Sequence, residues 1–393
     1  MDVVSSPMTP KQRILAAMRH GIPDRVPVYP GLGPWYAARI TGLTMWDVTL
    51  GDPDVLPELM LEMNRRYGYD DWFWVASGLE GGRRDGISFE WREELVRRTG
   101  EEIVKRSWVD TPYGPLERIV VYPKHDPAWE IEKPIKDIDR DWPRLRALLG
   151  EDWLWKRELP RWHYRLGDRG VYPLGVALPV DWWYDWRDGT VQQLIYDLVD
   201  RRDKMHEILD YYHDYAMVYL QAALEVRPDE IILAGSTSSL SVLSPALYRE
   251  YNLPFVKEVT RLCKQAGVVS HQHSCGRSRG IVEMSYAETD LDVMEPLERH
   301  PGGDVDLAEV KRLYGYKLCL KGNINTFDML LRGTPAEVEA EARACIEAGA
   351  AGGGFWLSTG DQAGRDTPEE NIWAMIEAAH KYGRYDQDGN RHP

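Results

Sequence analysis

The chain alternates short apolar runs with segments of helical periodicity, and this alternation restricts its fold more than any other feature. The runs lie at 25–29, 70–76, 171–176, 230–234, 268–273, 291–294, 318–322 and 354–358. Strands that alternate with helices form parallel sheets, and eight such repeats close into a barrel. No G-x-G-x-x-G sequence follows the first run, which argues against the main alternative, an open doubly wound sheet. The sequence therefore predicts an α/β fold, a (β/α)8 TIM barrel.

A different pattern interrupts the repeats after the second predicted strand. Residues on both sides of Thr99-Gly100 alternate polar and apolar side chains, which is typical of a β-hairpin, and 116–122 alternate in the same way. We expect a small antiparallel insertion between about residues 87 and 123, and an irregular connection that extends it to about residue 165. The chain as a whole, residues 1–393, is predicted to form a single barrel domain that carries this insertion.

The charge balance and the cysteines limit the cellular setting and the partners. The formal net charge is −15 and the pI is near 5.2, whereas domains that bind phosphate backbones are usually basic, so nucleic acid is not an expected partner. No apolar stretch is long enough for a membrane span, and the N-terminal segment lacks the apolar core of a signal peptide. The four cysteines are scattered without the spacing of a disulfide framework. These features are typical of a cytoplasmic enzyme with reduced thiols.

The segment His271-Gln-His273-Ser-Cys275-Gly276 ends the fifth predicted strand. Side chains alternate faces along a strand, so His271, His273 and Cys275 are expected to point the same way. Two imidazoles and a thiol that converge at a strand end offer the nitrogen and sulfur ligands that zinc prefers. Two core histidines beside a buried, reduced cysteine would give the same pattern.

Polar residues also follow the sixth, seventh and eighth predicted strands, at the barrel edge where the chemistry of such folds lies. They are Glu295, Asn323 and Asp361. Barrel closure brings these strand ends together, and a mixed nitrogen, sulfur and oxygen set is predicted to hold a metal. The candidate metal ligands are His273, Cys275, Glu295 and Asp361. Alternatively, Glu295 is a solvated loop charge, Asp361 caps a turn and Asn323 is a backbone-turn residue.

Aromatic residues supply candidates for a substrate wall. The chain has 16 tryptophans and 5 phenylalanines, and fourteen of the tryptophans lie between Trp35 and Trp186. Most of them are expected to be core or surface aromatics, and a minority to line an apolar pocket for a flat ligand. The candidates for this wall are Trp35, Tyr36, Trp72, Trp74, Trp182 and Trp183. Asp181, His271 and Asn323 are candidate catalytic or orienting groups, with structural hydrogen bonding as the alternative.

Several motifs of the chain resemble those of one enzyme superfamily. They lie at 25–28 (Arg-Val-Pro-Val), 243–254, 273–276 (His-Ser-Cys-Gly), 322–325 (Gly-Asn-Ile-Asn) and 367–371 (Thr-Pro-Glu-Glu-Asn). Together they make the chain similar to the uroporphyrinogen decarboxylase superfamily over almost its whole length. The resemblance implies a (β/α)8 barrel, in agreement with the strand count.

The superfamily contains two activities, and the residues after the first strand distinguish them. The decarboxylases carry an arginine-rich Met-Arg-Gln-Ala-Gly-Arg segment there, which binds the acidic side chains of the porphyrinogen. This chain has aromatic and small residues at 29–36, and the next arginine is Arg39. A tetrapyrrole with many carboxylates would meet aromatic rings and no cations, which argues against a carboxy-lyase of the uroporphyrinogen decarboxylase type.

The other branch comprises zinc-dependent methyltransferases that work with corrinoid proteins, similar to methylcobamide:coenzyme M methyltransferases. These use a His-x-Cys pair after strand five, matched here by His273 and Cys275, and a further cysteine after strand eight. Asp361 stands where that cysteine is expected, and Glu295 corresponds to a glutamate ligand of the related cobalamin-independent methionine synthase. One thiolate in place of two would make zinc a stronger Lewis acid towards oxygen. Alternatively, the metal site is weakened or absent, and His273 and Asp361 form an acid–base pair.

The resemblance therefore implies methyl transfer between a small methylated substrate, such as an aryl methyl ether, and a corrinoid protein. No D-x-H-x-x-G corrinoid-binding sequence occurs in the chain, so the corrinoid, a cobalamin, is expected on a separate partner protein. The expected cofactors are zinc and this corrinoid. A non-catalytic binding subunit of a methyltransferase complex is the alternative from another class, and a homodimer is one option for the oligomeric state.

Overall fold

The computed structural model describes residues 7–76 and 78–386 of the chain. Fifteen strands lie in these residues: β1 Val28–Tyr29, β2 Asp71–Trp72, β3 Gly81–Arg83, β4 Arg92–Arg98, β5 Glu102–Thr111, β6 Gly114–Pro123, β7 Trp129–Glu132, β8 Trp153–Trp155, β9 Gly170–Val171, β10 Pro173–Ala177, β11 Glu230–Ala234, β12 Val269–His273, β13 Val293–Glu295, β14 Cys319–Ile324 and β15 Phe355–Thr359.

Fifteen α-helices lie in the same part of the chain. They are α1 Pro10–Met18, α2 Pro34–Thr41, α3 Met45–Thr49, α4 Val55–Tyr67, α5 Ile138–Leu149, α6 Arg161–Leu166, α7 Pro179–Trp186, α8 Thr190–Asp200, α9 Arg202–Glu225, α10 Pro245–Tyr251, α11 Leu253–Ala266, α12 Arg279–Glu288, α13 Leu307–Tyr314, α14 Pro335–Gly349 and α15 Glu369–Tyr382. Gly167–Arg169 forms a 3-10 helix, and Thr326–Leu331 forms a π-helix.

The parallel strands form the barrel that the sequence predicts. Seven of them make one parallel sheet in the order β1, β15, β14, β13, β12, β11 and β10. The short strand β2 pairs in parallel with β9, which is separated from β10 by one residue. On its other side β2 approaches β1, where the Asp70 N–H donates to the Val28 carbonyl at 2.9 Å. This ring of eight strand positions confirms the predicted α/β fold of the TIM-barrel type.

The second strand of the ring is shorter than predicted. Its apolar run yields only Asp71–Trp72, and the chain turns a few residues later at Ala76, where φ is +56°. Buried ion pairs fix the start of the strand, since the carboxylate of Asp70 accepts from Arg13 at 2.5 Å and from Arg25 at 2.7 Å. The segment after β2 is therefore free to form the wall of a cavity instead of continuing the sheet.

An antiparallel sheet interrupts the barrel after β2, as predicted. Its strand order is β4, β5, β6 and β7, and β4 and β5 form a hairpin around Thr99-Gly100. Strands β7 and β8 lie in the segment that the sequence predicted as an irregular connection, and β8 pairs antiparallel with β3, which precedes the predicted insertion. That residues 1–393 form a single domain stays a prediction.

Helices cover the outside of the ring and bury its apolar residues. Helix α11, for example, lies beside β12 and has Val256, Val259 and Cys263 fully buried. No helix within the described residues is long and apolar enough to span a membrane. Residues 1–6, part of the N-terminal segment on which the cytoplasmic prediction depends, lie outside the described residues.

Candidate functional site

A cavity of about 310 Å³ opens where the parallel strands of the barrel end. We call it the barrel-mouth cavity. Its wall combines aromatic rings from the first half of the chain with polar groups from the second half. Prominent wall residues are Tyr29, Trp72, Trp74, His273 and Asp361. Residues that are distant in sequence meet here because every parallel strand presents its carboxyl end to the same face of the barrel.

His273 and Cys275 are in direct contact at one side of this cavity. The Nε2 atom of His273 lies 3.2 Å from Sγ of Cys275, and its Nδ1 atom lies 3.0 Å from Oε1 of Glu295. Strands β12 and β13 pair with His273 opposite Glu295, which places the two side chains on the same face. Burial alone lowers the pKa of His273, but hydrogen bonds to Cys275 and Glu295 outweigh burial and hold the pKa well above its ordinary value.

Cys275 also meets two carboxylates. Its Sγ atom and one carboxylate oxygen each from Glu298 and Asp361 lie within 4.8 Å of one another, an arrangement that could hold a metal ion. Glu298 accepts from the N–H of Gly276, whose φ of +69° is the left-handed conformation that glycine adopts at no steric cost. Burial and the nearby charge of Asp361 raise the pKa of Glu298. Asp361 also accepts from the N–H of Gln362 at 2.6 Å, the turn contact that its alternative interpretation expects.

Glu295 is bound by neighbours inside the barrel. Its carboxylate pairs with the ammonium of Lys321 on the adjacent strand β14, and its Oε2 atom lies 3.8 Å from Nε2 of His271. Burial alone raises the pKa of Glu295, but the charges of Lys321, His271 and His273 outweigh burial and hold the pKa well below its usual range. Both oxygens of Glu295 therefore have partners within the barrel, which leaves Glu298 and Asp361 as the carboxylates grouped with Cys275.

His271 and Asn323 are buried and take part in the hydrogen bonding of the fold. The Nδ1 atom of His271 lies 2.9 Å from Oε2 of Glu230 on β11, and the His271 ring lies 5.4 Å from the ring of Trp72. Asn323 donates to the carbonyl of Leu297 at 2.8 Å. Neither His271 nor Asn323 is among the described residues that line the barrel-mouth cavity. This placement favours a supporting role for both over direct contact with a substrate.

Asp181 organises the loop that follows β11. Its carboxylate accepts from the N–H of Thr237 at 2.6 Å, from the N–H of Ser238 at 3.1 Å and from the Ser238 hydroxyl. Burial raises the pKa of Asp181 to about 6, and the hydrogen bonds from Ser238 and Thr237 partly offset this rise. The loop that Asp181 holds carries Ser236, which lines the barrel-mouth cavity.

Of the six predicted wall residues, three line a cavity. Trp72 and Trp74 line the barrel-mouth cavity. Trp182 lines a different cavity of about 600 Å³, which we call the side cavity, and it stacks there on Tyr212 at a centroid distance of 4.5 Å. Gly175 on β10 lines both cavities, so they are neighbours.

Trp35, Tyr36 and Trp183 take part in packing. The indole N–H of Trp35 donates to the carbonyl of Ala363 at 2.9 Å, and that of Trp183 donates to Asp197 at 3.3 Å. Tyr36 is fully buried. The structure thus brings two of the six predicted wall residues to the cavity that contains His273.

Among the residues of the site that were not selected from the sequence are Tyr29, Glu298 and Lys321. The sequence did contain a signal for Lys321, because this lysine interrupts the apolar run 318–322. An ammonium is rarely buried without a partner, so a charged partner could have been expected nearby. Tyr29 ends the first predicted strand, and its position could have been inferred from strand alternation. Glu298 gave no signal, because it lies in a loop whose path the sequence pattern does not fix.

The second half of the chain matches a known family. Residues 188–382 match the family model described as Uroporphyrinogen decarboxylase (URO-D). This part of the chain belongs to the uroporphyrinogen decarboxylase family. The matched segment contains strands β11 to β15 and all the polar groups gathered around Cys275. The family predicted from the motifs is therefore confirmed.

Curated relatives of the chain have two different activities. It is 25% identical over 189 residues to "Methylcobamide:CoM methyltransferase MtbA" of Methanosarcina mazei, covering 47% of this chain and 52% of that protein. It is 27% identical over 184 residues to "Methylcobamide:CoM methyltransferase MtaA" of Methanosarcina barkeri, covering 47% and 51%. It is also 25% identical over 208 residues to "Uroporphyrinogen decarboxylase" of Paraburkholderia phytofirmans, covering 52% and 53%. The chain thus spans about half the length of the curated relatives it matches.

The fold is similar to that of a solved structure over nearly the whole chain. A "methyltransferase from Methanosarcina mazei" superposes with a TM-score of 0.60 and 18% sequence identity, covering 95% of this chain and 99% of that one. This similarity concerns the fold alone. It extends well beyond residues 188–382, so the first half of the chain also shares the fold of that structure.

Proposed function

We propose that this protein is a zinc-dependent methyltransferase that moves a methyl group between a small methylated compound and a corrinoid carried by a separate protein. The observation that carries the proposal is the group formed by Cys275, Glu298 and Asp361, whose donor atoms lie within 4.8 Å of one another. We add His273 to this group as a proposed fourth donor, because its Nε2 atom lies 3.2 Å from Sγ of Cys275. Two of the curated relatives are methylcobamide:CoM methyltransferases, which supports methyl transfer as the reaction class.

The residues around Cys275 fit a zinc ion. An imidazole, a thiolate and carboxylate oxygens are the ligand types that zinc takes in proteins. Nδ1 of His273 is occupied by Glu295 at 3.0 Å, which directs Nε2 to the metal side, and metal-bound histidines are commonly held by a carboxylate in this way. We therefore propose His273, Cys275, Glu298 and Asp361 as the ligands, with Glu295 as the residue that holds His273. This set differs from the sequence prediction in using Glu298 in place of Glu295.

Bound zinc would supply a Lewis acid that polarises the substrate atom to which the methyl group is attached. The rings of Tyr29, Trp72 and Trp74 would pack against the apolar part of the substrate and exclude water from it. Asp181 would keep the loop after β11 in place through its hydrogen bonds to Thr237 and Ser238. These residues position a small flat molecule, and an aryl methyl ether has the shape that such a wall accepts.

A decarboxylase that acts on a porphyrinogen is the second candidate, and the cavity disfavours it. No lysine or arginine is among the described residues that line the barrel-mouth cavity, whereas Glu295 and Asp361 are. The carboxylates of a tetrapyrrole would therefore meet two carboxylates and neither a lysine nor an arginine of this lining. At about 310 Å³ the cavity is also at the small end of the range for ligand pockets.

The corrinoid would reach the cavity from a partner protein. The sequence has no corrinoid-binding signature of the D-x-H-x-x-G type, and the cavity is too small to enclose a cobalamin. The partner's cobalt would therefore approach from the open face of the barrel. A role as a non-catalytic binding subunit would require neither zinc nor the wall of aromatic rings.

Zinc content and demethylation together test the proposal. Wild-type protein should contain about one zinc per chain and should demethylate a methoxylated compound in the presence of a reduced corrinoid protein. Cys275→Ala should remove the metal and the activity. Cys319→Ala, which alters a fully buried thiol inside β14, is the matched control and should keep both. Zinc binding that is equally tight without Cys275 would contradict the proposed site.

A further inference from the structure

A lysine lies in the interior of the barrel with its side chain completely buried. Lys321 is on β14 and is 0% exposed. Its Nζ atom lies 3.4 Å from the ring centroid of Trp72, 4.6 Å from that of Trp356 and 5.1 Å from that of Tyr29. Three ring faces thus stabilise the ammonium, but removal of an ammonium from water is costly unless an anion is also at hand.

The anion is Glu295 on the adjacent strand, which is itself 4% exposed. One side of this carboxylate pairs with Lys321, and its Oε1 atom lies 3.0 Å from Nδ1 of His273. Nε2 of the same imidazole lies 3.2 Å from Sγ of Cys275. The contacts therefore form one continuous chain from the buried ammonium to the proposed metal ligands.

The lysine end of this series of contacts is also fixed. Trp72, which lies over the ammonium of Lys321, donates its indole N–H to Glu230. Glu230 in turn lies 2.9 Å from Nδ1 of His271, and both of these side chains are fully buried. The ammonium of Lys321 is therefore enclosed by buried side chains that are hydrogen-bonded to one another. It is held in place and can act as a fixed anchor for Glu295.

We propose that Lys321 is a positioning residue for the metal site: it anchors one oxygen of Glu295, so that the other oxygen holds His273 with Nε2 facing Cys275. This inference rests on the proposed zinc site. Without the ammonium, the carboxylate of Glu295 would keep its buried charge but lose its anchor, and the imidazole would lose its fixed orientation. Partners of metal ligands commonly change metal affinity by about 10–100-fold when they are removed.

Lys321→Met tests the inference, because methionine keeps the length of the side chain and removes its charge. We expect zinc affinity, measured by competition with a chromophoric chelator, to fall by about 10–100-fold. The absorption bands of the cobalt(II)-substituted protein should also shift, because they report on the imidazole and thiolate ligands. Lys317→Met is the matched control, since the Lys317 ammonium donates to the carbonyls of Tyr286 and Thr289 at 2.6 and 2.7 Å, and neither residue belongs to the proposed site. It should leave zinc affinity and the cobalt spectrum unchanged.

A double-mutant cycle separates positioning from a general loss of stability. If Lys321 acts through Glu295, then Lys321→Met should weaken zinc binding much less in a Glu295→Gln background than in the wild type. This double variant removes both charges of the Lys321–Glu295 pair, so neither of them is left buried without the other. An equal effect in both backgrounds, or equal zinc affinity in wild type and Lys321→Met, would overturn the inference alone. Wild-type protein that binds no zinc would overturn the proposed function and this inference with it.

Discussion

At the scale of single residues, Asp361 is the proposed ligand that determines how strong a Lewis acid the proposed zinc is. A carboxylate in place of a second thiolate leaves the metal a harder Lewis acid, suited to an oxygen leaving group. We expect Asp361→Cys to keep the zinc, because thiolate is a strong zinc ligand, and to lower turnover of a methoxylated substrate by about tenfold or more, which corresponds to about 1.4 kcal/mol of transition-state stabilisation. Zinc content and demethylation rate are measured on the same preparation.

The control for this change is Asp366→Cys, which alters an exposed aspartate paired with Arg365. It should change neither the zinc content nor the rate. If Asp361→Cys also leaves both unchanged, then Asp361 does not contact the metal. It is then a turn residue that accepts a hydrogen bond from the N–H of Gln362.

The sequence predicts the site residues that lie on strands better than those that lie in loops. The period of two along a strand places His271 and His273 on one face of β12, as the structure has them. The same reasoning brings Glu295 to the strand end but cannot distinguish it from Glu298, three residues later. Which of the two carboxylates lies beside Cys275 depends on the path of the loop after β13, and tertiary contacts such as that with Gly276 fix this path.

At the scale of elements, strand β2 contains an acidic side chain that should make stability depend on pH. Asp71 is 3% exposed, and its Oδ2 atom has no hydrogen-bond partner among the described residues. Burial raises the pKa of Asp71 to about 8, although the charge of Arg169 partly offsets this rise. The unfolded chain releases this proton near pH ~4. Between these values the folded protein holds one more proton than the unfolded chain, so the free energy of unfolding should fall as pH rises, by up to about 1.4 kcal/mol per pH unit.

We expect Asp71→Asn to remove this contribution, so that its stability advantage over wild type grows from about pH 5 to about pH 8. Urea unfolding at a series of pH values measures the free energy of unfolding of both proteins. Asp214→Asn is the control, because the side chain of Asp214 is 79% exposed and its replacement should leave the pH dependence of wild type intact. Parallel stability curves for wild type and Asp71→Asn would show that the Asp71 carboxyl is not desolvated.

Elements with a strong period were predictable, and those without one were not. The eight apolar runs and the hairpin at Thr99-Gly100 follow from local pattern. Strand β3, whose sequence is Gly-Gly-Arg, and strand β8, whose sequence is Trp-Leu-Trp, have no alternation that distinguishes them from loop. They pair because the fold brings them together, and a pattern read along the chain does not contain this information.

At the scale of the whole molecule, the two halves of the chain contribute different parts of the barrel-mouth cavity. The proposed zinc ligands all lie in residues 188–382, the segment that matches the family model. The rings of Tyr29, Trp72 and Trp74 come from the first half, outside that match. We infer that the reaction class follows from the second half and that the choice of methyl donor follows from the first.

Exchange of one ring in each cavity tests this division. Trp74 lines the barrel-mouth cavity and Trp182 lines the side cavity. Trp74→Leu and Trp182→Leu therefore remove the same ring, each from one of two neighbouring cavities. We expect Trp74→Leu to raise KM for a methoxyaromatic substrate by about tenfold, since a ring contact of about 1.4 kcal/mol is lost. Zinc content should stay at the wild-type level, because Trp74 is not one of the proposed ligands. Trp182→Leu should lower the melting temperature, because Trp182 stacks on Tyr212, and should leave KM unchanged. A higher KM in Trp182→Leu, together with an unchanged KM in Trp74→Leu, would place the substrate in the side cavity and contradict the proposed wall.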